Sequence, residues 1–212
     1  MRLRKKPWVE RAMQEVLEEY VFMENIERFK GHWQEIFPGK RLCLELGCGK
    51  GRFIIGMAKL YQDKAFIGIE AQRDISYFPA RQAKEEKLAN VRIICANGEN
   101  LLQWFEPGEI KELYLNFSDP WPKARHAKRR LTHRNFLAKY KELLGTGGHL
   151  RFKTDNRGLF DFSVNEFREF GMAIIALSYD LHNSGYENPV QTEYEAKFSA
   201  LGTPINFCEA VF

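Results

Sequence analysis

Cysteine is scarce in this chain, and none of it is paired. Cys43, Cys48, Cys95 and Cys208 make no CxxC pair, and no histidine stands at metal-ligand spacing from them. Neither a zinc site nor a disulfide framework is indicated, so the thiols read as the reduced ones of a cytosolic protein. Long apolar runs are missing too: none approaches the roughly 20 residues that a membrane-spanning helix needs. Behind the basic start Met1-Arg2-Leu3-Arg4-Lys5-Lys6-Pro7, charge returns at Glu10, Arg11 and Glu15, which leaves no apolar signal-peptide core. Repeats, low-complexity tracts and an interdomain linker are also lacking. The expectation is a cytoplasmic protein that crosses no membrane and holds no metal.

Aromatic residues, in contrast, are plentiful. The 17 Phe, 8 Tyr and 4 Trp among 212 residues supply enough apolar area for one substantial core. A formal net charge of +4 permits a polyanionic partner without requiring one, so where the charge sits matters more than its sum.

Residues 9–36 carry Val9, Met13, Val16, Leu17, Tyr20, Ile26, Phe29 and Trp33 at helical spacing, which predicts two helices ahead of the main sheet. From Arg41 onward, short apolar runs (42–46, 65–69, 91–96, 113–117, 149–153) alternate with helix candidates near 52–61, 73–88, 99–105, 132–144 and 157–170. Two further strand-like runs, 172–179 and 205–212, end the chain, and the polar stretch 182–203 between them reads as a long loop. The pattern predicts an α/β fold: a doubly wound, mostly parallel seven-stranded sheet over 39–212, with an N-terminal basic tail and helical extension over 1–38.

After the first of these strands, Glu45-Leu46-Gly47-Cys48-Gly49-Lys50-Gly51 puts small residues where the backbone turns sharply and approaches a ligand at the mouth of a helix. Glu70 closes the second strand about 20 positions on, where a carboxylate can bind ribose hydroxyls. The spacing is GxGxG, and Arg52 occupies the place of the third glycine of the dinucleotide fingerprint, so NAD is not the expected ligand. Glu45 argues the same way. A carboxylate there repels a pyrophosphate but suits a ligand carrying an ammonium and a sulfonium, such as S-adenosyl-L-methionine. Asn97 follows the third strand; taken alone it reads as a helix cap or turn former, because Asn-Gly is a turn dipeptide.

The fourth strand runs into Asn116-Phe117-Ser118-Asp119-Pro120-Trp121-Pro122-Lys123, where two prolines stiffen the backbone and hold Asp119 at the carboxyl edge of the sheet. Residues 123–134 then carry Lys123, Arg125, Lys128, Arg129, Arg130 and Arg134 with His126 and His133 and not one acid. Such a density is a phosphate-binding footprint, although an isolated run of this kind is equally a solvated charged face.

Glu45 with its glycines, and Glu70 after them, resemble the cofactor motifs of Rossmann-like methyltransferases, in which Asn97 falls where a polar residue contacts adenine. Members that methylate amino groups commonly carry Asn/Asp-Pro-Pro-aromatic after the fourth strand. Trp121 stands in place of the second proline, which counts against an exocyclic amine as the acceptor. The whole run from Ser118 to Leu131 resembles the signature of the tRNA (guanine-N7-)-methyltransferase family. Thr154-Asp155, then Thr192-Glu193-Tyr194-Glu195 with Lys197-Phe198, are similar to its two later motifs, so the likeness spans about Lys40 to Phe198.

That resemblance implies an enzyme that moves a methyl group from S-adenosyl-L-methionine to N7 of a variable-loop guanine in tRNA, as a monomer or homodimer. Glu45, Gly47, Gly49, Glu70, Asn97 and Asp119 would line the cofactor pocket, with Asp119 as the catalytic carboxylate. Lys123, Arg125, His126, Lys128, Arg129, Arg130, Asp155, Thr192, Glu193, Tyr194 and Glu195 would contact the substrate. Alone, Asp155 also reads as a helix cap, 192–195 as an exposed loop, and the basic tail as a solvated end. The alternatives are another nucleic-acid methyltransferase and a non-catalytic RNA-binding module on the same fold.

Overall fold

The computed structural model describes residues 7–15 and 17–212, so the basic tail at Arg2, Arg4, Lys5 and Lys6 and the apolar position Val16 lie outside the described residues. Eight strands make one sheet: β1 (Val21–Phe22), β2 (Arg41–Leu46), β3 (Lys64–Ile69), β4 (Val91–Ile94), β5 (Ile110–Asn116), β6 (His149–Thr154), β7 (Ala173–Ser178) and β8 (Asn206–Val211). Their order is β1-β4-β3-β2-β5-β6-β8-β7, with β8 antiparallel to both its neighbours and the other pairings parallel. The helices are α1 (Pro7–Glu15) and α2 (Trp33–Ile36) ahead of β2, then α3 (Arg52–Leu60), α4 (Arg73–Glu85), α5 (Leu101–Trp104), α6 (Arg134–Leu144), α7 (Arg157–Glu169) and α8 (Glu193–Ala200), one in each later connection.

The central strands are buried on both faces, which is why they read as continuous apolar runs rather than alternating ones. In β2, Leu42, Leu44 and Leu46 enter a core shared with Trp104, Tyr140, Phe160 and Phe167 from α5, α6 and α7. Cys43, pointing the other way, joins Met13, Phe53, Met57 and Ala80 from α1, α3 and α4.

Two expectations are corrected. Residues 9–36 hold the two helices expected there, α1 and the single-turn α2, but also a two-residue edge strand and a 3-10 turn over Ile26–Phe29 between them. The open edge of β4 carries backbone groups that need partners, and it finds them here: Ile93 N–H donates to Tyr20 O at 2.9 Å and Cys95 N–H to Phe22 O at 2.9 Å. The sheet therefore has eight strands instead of seven. The stretch 182–203 is not featureless either, since it contains α8. A capping box starts that helix: Thr192 Oγ1 accepts from Glu195 N–H at 3.0 Å while the Glu195 carboxylate accepts from Thr192 N–H.

Strand order reverses between β2 and β5, so the chain leaves their carboxyl ends in opposite directions and opens a crevice there. The turn after β2 can form only with glycine at one key position. Gly51 has φ +91, in the left-handed region, and a Cβ built on it would lie 2.4 Å from Pro79 Cβ and 3.0 Å from Pro79 Cα. Gly51→Ala is expected to destabilise the fold by roughly 1–3 kcal/mol, the range for forced overpacking. A urea midpoint equal to that of the parent protein would show that α4 yields instead.

Candidate active site

A cleft of about 800 Å³ opens at the carboxyl ends of the central strands. It gathers Glu45, Gly47, Gly49, Glu70, Asn97, Asp119, Arg129, Thr192, Glu193 and Tyr194. Residues 45 to 194 thus converge because the parallel strands all end on this one rim.

Glu45 is the last but one residue of β2 and is almost fully buried. Asn116 Nδ2, at the end of β5, donates to its Oε1 at 2.8 Å, and its Oε2 is buried with no partner among the described residues. Burial pushes the carboxyl up to about 8, against the lowering effects of the Asn116 hydrogen bond and of Lys153, while Glu193 and Glu70 push it further up. An orphaned carboxylate oxygen in a cleft wall is a place for a cationic N–H donor.

Glu70 stands across the cleft. Its Oε2 accepts from Gly49 N–H at 3.1 Å and its Oε1 from Gln72 N–H at 2.8 Å, so the second carboxylate also braces the glycine turn. Asn97 lines the cleft, but its Oδ1 accepts from Glu99 N–H at 3.1 Å, the capping role that its Asn-Gly context suggested. A deep acid at one end, a bare glycine floor and a rim acid at the other fit a ligand with an ammonium and a ribose.

The other half of the cleft belongs to the loop after β5. Asp119 is exposed on it, between Phe117 at φ +53 and Trp121 at φ +40. Left-handed backbone at two bulky residues is strained and marks a loop held by its surroundings. The Phe117 ring stacks on Tyr194 at 6.4 Å, and the Arg129 guanidinium lies 4.9 Å over the Trp121 ring. Asp119 is thus flanked by aromatic faces and one cation.

The remaining predicted contacts are spread out. Lys123, Arg125 and Lys128 are exposed and His126 half-buried on the segment around a 3-10 helix over Ala124–Arg129, outside the cleft lining. Arg130 turns inward to the loop, donating to Pro120 O and Trp121 O. Asp155 is half-buried after β6, and Asn156 caps α7 in its stead, accepting from Leu159 N–H at 2.8 Å. Glu193 sits on the cleft wall, where Oε1 accepts from Arg52 N–H at 3.3 Å.

Glu195, expected to face the substrate, is instead fully buried. Its carboxylate takes the Lys153 ammonium at 2.8 Å, the Asn188 amide and the Thr192 N–H, so both oxygens are used inside the protein. Lys153 and Asn116 were not singled out from the sequence. Local pattern does not mark them: Lys153 alternates with His149 and Arg151 on β6, and Asn116 with Glu112 and Tyr114 on β5, so both sit on faces that read as polar and only the fold shows them buried.

A doubly wound sheet with a reversed β8, a glycine turn beneath a buried acid, and a second acid after the next strand define a Rossmann-like methyltransferase. Solved structures with this fold include an antibiotic-related methyltransferase (TM-score 0.62, 20% identity, 86% of this chain and 92% of that one). A 30S ribosomal A1408 methyltransferase from an uncultured bacterium is similar at TM-score 0.56 and 14% identity, over 84% and 91% of the two chains. A family described as putative methyltransferase matches residues 39–208. Proteins named tRNA (guanine-N(7)-)-methyltransferase from an Exiguobacterium species and from Bacillus subtilis are each 46% identical to this chain, over 100% and 97% of it and 98% and 96% of their own lengths. The chain belongs to the tRNA (guanine-N(7)-)-methyltransferase family.

Glu45 yields a pH prediction. A carboxyl whose pKa is raised on folding favours the fold fully below its unfolded value, near 4.5, and loses that contribution as pH climbs through about 8. Glu45→Gln does not titrate, so its stability advantage over the parent, measured without donor, is expected to widen by roughly 1 kcal/mol or more between pH 6 and pH 9. Denaturant midpoints at the two pH values read this directly, and a pH-independent gap would contradict it.

Proposed function

We propose that this protein transfers the methyl group of S-adenosyl-L-methionine to N7 of a guanine in tRNA, a variable-loop guanine by the family likeness. The observation that carries the reading is one continuous cleft. It joins the orphaned Glu45 oxygen and Glu70 on one side to an exposed Asp119 flanked by Trp121, Arg129 and Tyr194 on the other. Family membership at 46% identity over the whole chain supplies the acceptor atom.

Bound there, S-adenosyl-L-methionine supplies an electrophilic methyl on a sulfonium. Glu45 would take the ammonium on its free oxygen, and Glu70 the ribose, releasing its hold on the glycine turn. Guanine N7 keeps an in-plane lone pair at neutral pH, so no residue of the chain has to remove a proton before attack. The task left to the protein is alignment and exclusion of water, which can supply several kcal/mol. The purine gains positive charge as the methyl arrives, and a fixed Asp119 carboxylate is then worth more than before. Trp121 and Tyr194 offer faces on which a base drawn out of its stack can rest. Lys123, Arg125, Lys128 and Arg129 carry the phosphate contacts that offset the unstacking.

The reaction belongs in the cytoplasm with its tRNA, and no helix of the described residues is long and apolar enough to cross a membrane. The oligomeric state, monomer or homodimer, follows from sizing in solution.

Unmodified tRNA incubated with labelled donor is expected to acquire label at one guanine, and chemical reduction followed by aniline treatment should break the strand at that nucleotide. Label without a break would move the acceptor to another atom. A non-catalytic RNA-binding module would show no saturable heat on titration with the donor. Asp119→Ala is expected to lower methyl transfer by roughly 10²–10³-fold, the scale for losing one transition-state charge partner, with tRNA affinity changed only a few-fold. Arg129→Ala should weaken tRNA binding and reduce its salt slope by about one; an unchanged slope would remove Arg129 from the phosphate contacts.

A further inference from the structure

Two adjacent arginines of the basic run face opposite ways. Arg129 is exposed, lines the cleft and lies over the outer ring of Trp121. Arg130 is half-buried: its Nε donates to Pro120 O at 3.1 Å and its Nη2 to Trp121 O at 3.1 Å. The Cζ of that guanidinium lies 4.3 Å from the ring centroid of Phe162, a residue of α7. Phe162 is itself stacked with His133, the N-cap of α6, at 6.4 Å.

We propose that Arg130 is the positioning residue of the reaction, a clamp that fixes the Asp119 loop against α7, and that it makes no contact with tRNA phosphate. The inference rests on the reading that Asp119 acts on the methyl acceptor.

The loop needs such a clamp. Pro120 and Pro122 have no N–H to donate, so this stretch cannot be held by a strand-like ladder, and its carbonyls are the groups left to grip. Phe117 and Trp121 sit in left-handed backbone, which relaxes if released. Asp119 lies between them, so any relaxation swings its carboxylate. A rigid, planar guanidinium fork can meet two neighbouring carbonyls and lie against a ring in one fixed geometry; an ammonium, a point charge on a flexible stem, lacks the fork that fixes both at once. Two of its five N–H donors are turned to backbone oxygens and its guanidinium lies against Phe162, which ties Arg130 to the loop and to α7.

The test compares Arg130→Gln, Arg130→Lys and Phe162→Leu with the parent enzyme in single-turnover and steady-state methylation of unmodified tRNA. Donor affinity and tRNA affinity at several salt concentrations are measured beside them. Both Arg130 variants are expected to lose at least about tenfold in kcat, the scale of a misplaced reacting group, and Lys is not expected to rescue. Donor affinity and the salt slope of tRNA binding should stay as in the parent. Phe162→Leu, which removes only the platform, should show a smaller loss in kcat with both affinities kept. A salt slope lowered by about one in Arg130→Gln, or parental kcat in Arg130→Lys, would overturn the proposal and return Arg130 to the phosphate contacts. If the Arg130 variants fail to fold, Phe162→Leu decides, and parental kcat there overturns the clamp. Failure of the function itself looks different: the parent enzyme would then leave N7 unmethylated.

Discussion

Where the strand order of the sheet turns back on itself, a carboxylate is buried with one oxygen answered by Asn116 and the other left open. Removing a charged group from water without a partner is strongly unfavourable, and the protein meets the problem by keeping Glu45 protonated up to about 8. Protonation relieves the charge in the free protein, and a cationic donor at the open oxygen would relieve it in a complex. On the proposed reading, a ligand bringing its own ammonium makes this group a recognition point, and the glycine turn beside it lets that ligand come close.

A second buried charge organises the opposite wall. Lys153 stands on β6 next to β5, and burial lowers its pKa, while Glu195 and Glu45 both pull it up. Its bond to the fully buried Glu195 fastens α8 to the sheet, and α8 carries Thr192, Glu193 and Tyr194 to the cleft. A buried pair contributes little net stability compared with apolar packing, yet breaking it by removing one partner leaves an uncompensated charge. The pair is better understood as fixing where a late segment of chain must lie than as holding the molecule together.

This distinction explains what could be read in the sequence. The strands and the five helices from α3 to α7 follow from apolar runs whose period changes between elements, and Glu45, Glu70 and Asp119 follow from their place at strand ends. Those are local signals. Val21 and Phe22 were misread because their strand depends on a distant partner, the edge that β4 leaves there, whereas α2 is held to one turn locally by Pro38-Gly39 just after its C-cap. Glu195 was read together with its neighbours as a substrate contact, although Thr192-x-x-Glu195 is also the pattern of a capping box. Arg129 and Arg130 cannot be told apart by composition at all; the fold separates them, one over the Trp121 ring and the other between the loop carbonyls and Phe162.

The exposure of Asp119 puts a last constraint on the proposed chemistry. Two unit charges about 4 Å apart gain about 1 kcal/mol in bulk water and about 4 kcal/mol at an effective dielectric of about 20. In the open cleft, then, the carboxylate could do little for a purine acquiring charge. Its value rises only when the base and the adjoining RNA cover the loop and shut out water. That makes phosphate binding by the basic segment part of the catalytic step rather than a separate anchoring act. It also explains why the segment follows the Asp119 loop directly in the chain, with one arginine facing the solvent that RNA must replace and the next facing the loop that must not move.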